Sequence, residues 1–272
     1  MILEQIIRDR KKAVEDLKEA YPIRKLMGDI EFQNYKTIDF KRALQRKEGE
    51  DIHIIAEVKK ASPSKGLIAP DFQYLEIAKE YESGDASAIS VLTEPKYFQG
   101  DNRYLTTIKQ SVNLPVLRKD FIIDKWQIYE AKAIGADAIL LIVAALEKAQ
   151  LRSYLDLARE LDMEVLVETH DEREVACALE VGAEVIGVNN RNLKTFEVSL
   201  ETSVRLRQLV PKEKVFVAES GIHTKEDMIL LREIGCDAVL IGESLMVAPN
   251  RVEKLRMLKG YSGKTRNNNE ME

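Results

Sequence analysis

Cysteine, histidine and tryptophan are scarce in this chain: two, three and one among 272 residues. Cys177 and Cys236 each fall in or just after an apolar helical stretch, where they read as small buried hydrophobes rather than as a disulfide pair. The histidines, His53, His170 and His223, share no ligand spacing and pair with no cysteine, so no metal site is expected. No long apolar run is present either. The uncharged stretch 138–146 is far short of the ~18 residues of a membrane helix. The amphipathic start carries Glu4, Asp9, Glu15 and Asp16, and targeting peptides avoid acids. A reducing cytoplasm is the expected setting. Acidic residues outnumber basic ones 46 to 41, for a net charge of −5, and no Lys/Arg block argues for nucleic acid. A Gly-x-Gly-x-x-Gly turn is also missing, which weakens an open dinucleotide-binding sheet.

What the chain does have is a set of apolar runs that end in polar groups. They are Ile54-Ile55-Ala56-Glu57-Val58-Lys59, Val116-Leu117-Arg118-Lys119-Asp120, Val165-Leu166-Val167-Glu168, Ile186-Gly187-Val188-Asn189-Asn190-Arg191 and Val215-Phe216-Val217-Ala218-Glu219-Ser220. A buried parallel strand is apolar along its length, and polar groups belong where it emerges. Between these runs one phrase recurs, at Gly84-Asp85-Ala86, Gly135-Ala136-Asp137, Gly182-Ala183-Glu184 and Gly235-Cys236-Asp237. In each, glycine can close a helix in the left-handed conformation, and the next strand follows. The glycines lie 51, 47 and 53 residues apart, room for two strand–helix units per interval. Helical periodicity fills 71–83, 102–112, 124–134, 147–161, 171–181, 200–210, 225–234 and 250–258. Eight strands alternating with eight helices predict an α/β fold, a (β/α)8 TIM barrel. Residues 1–260 are expected to form one domain. Within it 1–50 make an N-terminal helical extension, one helix carrying the Ile2, Leu3, Ile6, Ile7, Val14, Leu17 stripe and a second over 40–46. The polar tail 261–272 is expected to be disordered.

In a barrel the C-terminal strand ends carry the chemistry. Glu57 and Lys59, two residues apart, point the same way from the first strand. Lys119, Glu168, Asn189, Arg191 and Ser220 follow from later ones. Taken singly, each is the residue of a salt bridge or a helix cap. Two lysines and two carboxylates from several strands suit acid–base work when burial shifts their titration. Lys59, Lys60, Lys65, Arg118, Lys119 and Arg191 concentrate positive charge at strand exits of an acidic protein, which implies an anionic small ligand. The loops Glu219-Ser220-Gly221-Ile222 and Ile241-Gly242-Glu243-Ser244 offer glycines for close backbone approach, and a short helix at 243–247 would aim its first amides at a phosphate; two ordinary tight turns are the alternative. In that cradle the Glu243 amide is the useful group and its side chain is expected to turn away. Phe98 and Phe121 follow strand exits and could serve the core or flank an aromatic ligand.

These segments, together with Ala61-Ser62-Pro63-Ser64, Leu92-Thr93-Glu94-Pro95-Lys96-Tyr97-Phe98 and Leu240-Ile241-Gly242-Glu243-Ser244, resemble the indole-3-glycerol phosphate synthase family over residues 1–258. The resemblance implies closure, decarboxylation and dehydration of 1-(2-carboxyphenylamino)-1-deoxyribulose 5-phosphate, with no metal and no organic cofactor. It implies Lys119 as acid at the ketone oxygen and Lys59 on the anthranilate carboxylate, with Glu168, Glu57 and Lys59 again available for the dehydration; either ammonium could serve as acid in a given step. Asn189 and Ser220 would orient hydroxyls and Arg191 would brace the carboxylates. Phe98, Phe121, Leu193 and Leu240 would wall the aromatic ring, and Ser62, Gly221, Gly242, Glu243 and Ser244 would hold phosphate. The loop 60–67 is expected to be a mobile lid. The anionic phosphorylated substrate is the expected partner, without nucleic acid or membrane, for a monomer. An imine-forming aldolase using Lys119 and a silent phosphate-binding subunit are the rival readings.

Overall fold

The computed structural model describes residues 2–260, so the tail expectation for 261–272 lies outside the described residues. The N-terminal segment is α1 (Ile2–Ala20), α2 (Ile23–Phe32) and α3 (Phe40–Leu44). The chain then runs through β1 (His53–Val58), the short strands β2 (Ala61–Ser62) and β3 (Gly66–Leu67), α4 (Tyr74–Ser83), β4 (Ala88–Leu92), α5 (Asn102–Lys109), β5 (Val116–Lys119) and α6 (Lys125–Ala133). It continues with β6 (Ala138–Ile142), α7 (Lys148–Glu160), β7 (Glu164–Thr169), α8 (Glu172–Glu180), β8 (Val185–Asn189), α9 (Glu201–Arg207), β9 (Val215–Glu219), α10 (Lys225–Glu233), β10 (Ala238–Ile241), α11 (Glu243–Met246) and α12 (Arg251–Leu258). Every pair in the eight-stranded sheet is parallel, and β1 pairs with both β4 and β10, which closes the barrel. None of the described helices is long and apolar enough to cross a membrane.

Strand alternation sorts the side chains. Ile55, Ala88, Leu117, Ala138, Leu140, Leu166, Val185, Val215, Val217, Ala238 and Leu240 fill the barrel interior, while Ile54, Ile89, Ile139, Val165, Ile186, Phe216 and Val239 pack outward under the helices. Several helices start where a side chain accepts from a free first-turn amide, as at Asp101, Asp124, Asp171, Thr224 and Asn250. Left-handed glycines follow α6, α8 and α10, with φ of 94° at Gly135, 84° at Gly182 and 80° at Gly235. Gly84 departs from the expected pattern: its φ is −83°, and Asp85 takes the left-handed turn at 65°. A Cβ on Gly84 would sit 2.6 Å from the Leu255 side chain, so this glycine lets α12 approach.

The extension divides between the two ends of the barrel. Phe40 and Leu44 of α3 are fully buried and plug the end where the strands begin. α1 instead lies toward the strand exits, where Arg10 donates to Asp120 across 2.7 Å in a buried ion pair. Helix α2 was not expected. Its apolar positions Ile23, Leu26 and Ile30 do recur at helical spacing behind Pro22, and Leu26 packs with Val14 and Trp126.

Candidate active site

One cavity opens at the C-terminal ends of the strands, and all sixteen residues named from the sequence line it. Ile2, Leu3 and Ile6 of α1 line it as well, next to Leu92, Leu140 and Ile142 of the strands. Phe98 and Phe121 face each other across the rim with ring centroids 6.0 Å apart.

The charged side chains form two groups. Lys59 Nζ donates to Glu57 Oε1 at 2.5 Å. Both come from the end of β1, and the pair fits because position 242 has no side chain: a Cβ there would lie 2.3 Å from Glu57 Oε1 and 2.9 Å from Lys59 Nζ. The second group centres on Lys119 at the end of β5, whose Nζ is 3.4 Å from Glu168 Oε2 and 3.7 Å from Glu219 Oε2. Burial alone would discharge the Lys119 ammonium, but the Glu168, Glu219 and Glu57 charges outweigh it and hold its pKa above the usual lysine range. Burial likewise disfavours ionised Glu168; Lys119, His170 and Asn189 more than offset it and keep that carboxyl well below the usual carboxylate range. Asn189 Nδ2 donates to Glu168 Oε1 at 3.2 Å.

Glu219 was passed over as a site residue, although it ends the inward alternation Val215, Val217, Glu219 that the sequence spells out. Burial first, then the neighbouring Glu168 charge, push its carboxyl up to about 8. Its space also comes from a glycine, since a Cβ on Gly187 would lie 2.2 Å from Glu219 Oε1. His170 was weighed as a metal ligand alone. It stands behind Glu168, with Nε2 3.3 Å from Glu168 Oε1 and Nδ1 2.9 Å from Glu174 Oε2.

Two arginines behave otherwise than expected. The Arg191 guanidinium donates to the Phe196 carbonyl at 3.3 Å and forms no ion pair with a carboxylate among the described residues, so it orders its own loop rather than bracing the acids. Arg118 alternates outward, fully buried against Asp120 and Glu130, and offers no charge to a ligand. Glu243 turns to the loop after β1, its carboxylate 3.0 Å from Lys65 Nζ. That loop is not free coil: β2 and β3 pair as a small antiparallel hairpin.

Two strands further round the mouth, Ser220 (φ 66°) and Gly221 (φ 83°) make a left-handed turn after β9. Ser244 of α11 donates to the Ile222 carbonyl at 3.0 Å, tying this turn to the loop after β10. Residues of both loops, among them Gly221, Gly242 and Ser244, line the cavity. No group of three or more His, Cys, Asp or Glu among the described residues is placed to hold a metal ion.

The family model described as "Indole-3-glycerol phosphate synthase" matches residues 3–258. A curated relative of that name from Endomicrobium trichonymphae is 52% identical over 260 residues, 95% of this chain and 100% of its own length. Another, from Alkaliphilus metalliredigens, is 50% identical over 95% of this chain and 98% of its own. Among solved structures, 3-hexulose-6-phosphate synthase from Salmonella typhimurium is similar with a TM-score of 0.64 at 14% identity, over 77% of this chain and 98% of that one. At such identity the likeness concerns the barrel fold alone. With a family match over nearly its whole length and relatives at about half identity across it, this chain belongs to the indole-3-glycerol phosphate synthase family.

Proposed function

We propose that the polar ring at the barrel mouth carries out the family's reaction, converting 1-(2-carboxyphenylamino)-1-deoxyribulose 5-phosphate to indole-3-glycerol phosphate for tryptophan biosynthesis, with the following division of labour. Lys119, kept as an ammonium by its carboxylates, protonates the ketone oxygen as the aromatic carbon attacks. Lys59 pairs with the anthranilate carboxylate, which leaves as carbon dioxide and restores electrons to the ring. Dehydration follows: Glu168, ionised, takes a proton from the newly closed ring while Lys59, held by Glu57, protonates the departing hydroxyl. Asn189 orients Glu168. Ser220 orients a substrate hydroxyl, and the backbone around Gly221, Gly242, Glu243 and Ser244, with Ser62 on the hairpin, holds the phosphate. Phe98, Phe121, Leu193 and Leu240 wall the aromatic ring. Each step is assigned to a side chain of this chain, and the proposal includes no metal and no organic cofactor.

The observation that carries this reading is Lys119 placed between two buried carboxylates in the cavity that also holds the Lys59–Glu57 pair. The same feature disfavours the aldolase alternative, because imine formation needs a free amine. The finer setting belongs to the same proposal: residues 1–260 acting as one domain, a cytoplasmic monomer, a phosphorylated small molecule as partner and no nucleic acid. The net charge of −5 supports the last point. The test is indole-type fluorescence when purified protein, with a chelator present, meets the carboxyphenylamino-deoxyribulose phosphate. Folded protein that binds the phosphate compound and develops no fluorescence would overturn the assignment.

A further inference from the structure

Lys119 treats its two carboxylates almost alike, at 3.4 and 3.7 Å. One ammonium does not neutralise two buried carboxylates, so one of them holds a proton. Their other contacts differ. Glu168 Oε1 accepts from Asn189 and lies 3.3 Å from His170 Nε2, whereas Glu219 Oε1 is buried with no hydrogen-bond partner. His170 is in turn fixed from behind. Its Nδ1 is 2.9 Å from Glu174 Oε2, and its backbone amide donates to the same oxygen at 2.8 Å. Glu174 belongs to the first turn of α8, which Asp171 caps.

We propose that His170, braced by Glu174, is a positioning residue that decides which carboxylate beside Lys119 serves as the base: it keeps Glu168 charged and leaves the proton on Glu219. The proposal rests on the assignment of Glu168 as base given above. His170 does not line the substrate cavity, so it acts through Glu168 and not on substrate.

The polar groups around this pair come from β1, β5, β8 and β9. Lys119 reaches Glu168 from β5, Asn189 from β8 and Glu219 from β9, while Glu57 on β1 acts on Lys119 and Glu219. His170 meets Glu168 and Glu174. Burial disfavours its imidazolium, but these two carboxylates outweigh burial and raise it to about 10, so the ring is cationic around neutrality. Its Nε2 hydrogen is close to Glu168 yet out of line, since the atom is buried without a hydrogen-bond partner. With a neutral side chain in its place, the proton would pass readily to Glu168 and the base would be lost.

The experiment is kcat and KM across pH for His170→Gln, Glu174→Gln and Glu168→Gln. In His170→Gln, kcat at pH 7 is expected to fall about 10- to 100-fold, the usual range for a residue that orients a working group, with KM within about twofold. The acidic limb of its kcat profile is expected to move up to near 8, where the pair gives up the proton that Glu168 then carries. Glu174→Gln, at the partly exposed edge of α8, is expected to shift the limb in the same direction by less, and it carries the test if His170→Gln does not fold. Profiles that superpose on wild type, or a change confined to KM, overturn the role of His170. If Glu168→Gln itself turns over normally, the assignment of the base fails first, and the proposal falls with it.

Discussion

The two ends of this barrel handle buried charge in opposite ways. Where the strands begin, Asp137 is almost wholly buried, and Lys109 donates to both its oxygens at 2.7 Å while the amides of Ile38 and Val116 donate as well. Beside it, Phe40 and Leu44 complete an apolar plug. Where the strands end, Glu219 Oε1 and His170 Nε2 are buried without partners, and Lys119 is shared between two acids. Satisfied polar groups rigidify; unsatisfied ones cost stability and persist where a ligand or a reaction uses them. One end of the sheet holds the fold together, and the other is held ready.

The sharpest way to break this contrast is Lys119→Ala. Turnover is expected to fall by 10²-fold or more, the scale of a lost general acid, while product still binds in a fluorescence titration. Near-normal turnover would remove Lys119 from the chemistry. The opposite end gives the converse. Phe40→Ala opens a void in the plug and is expected to cost about 3–5 kcal/mol in denaturant unfolding, with kcat close to wild type while the protein stays folded. A large loss of kcat would mean that the ends are coupled.

A pH comparison sharpens the point. Glu219 has its folded pKa raised from 4.5 to about 8, so between those values the folded protein keeps a proton that the unfolded chain has lost. Its contribution to stability is therefore full below 4.5 and declines as pH rises through 8. Glu219→Gln is expected to flatten that decline in urea titrations from pH 5 to 8.5 while lowering activity; an unchanged slope would deny that the carboxyl is protonated. The smallest effect is at the hairpin after β1. Gly66 has φ 66° with open space around it, so Gly66→Val is expected to cost about 1–2 kcal/mol of backbone strain and to lower turnover by a larger factor than that strain accounts for. Equal losses in both would refute a lid.

Much of this was legible because each strand exit is written as an apolar run followed by a polar residue. Alternation from Ile55 to Glu57 and Lys59 sets three inward positions by counting alone. The same counting through Val215 and Val217 reaches Glu219, which was overlooked because Ser220 and Gly221 beside it suggested a phosphate turn. His170 follows Glu168 by two positions, as Lys59 follows Glu57, but its second contact, with Glu174, depends on where α8 begins. Arg191 misled because its charge suits a carboxylate, whereas the turn to Phe196 captures it. Gly84 misled for a similar reason, since packing against Leu255 and not a left-handed turn fixes it.

The closure of β1 against β10 has a further consequence, for the order of folding. His53 pairs with Ala238, so the sheet stays open at β1 until nearly the whole chain is available, and so distant a pairing forms slowly. The strand that closes it leads directly into Gly242, the residue against which Glu57 and Lys59 are packed. Shutting the barrel and completing the pocket of the Lys59–Glu57 pair are thus one event, and a chain released before position 242 would lack both.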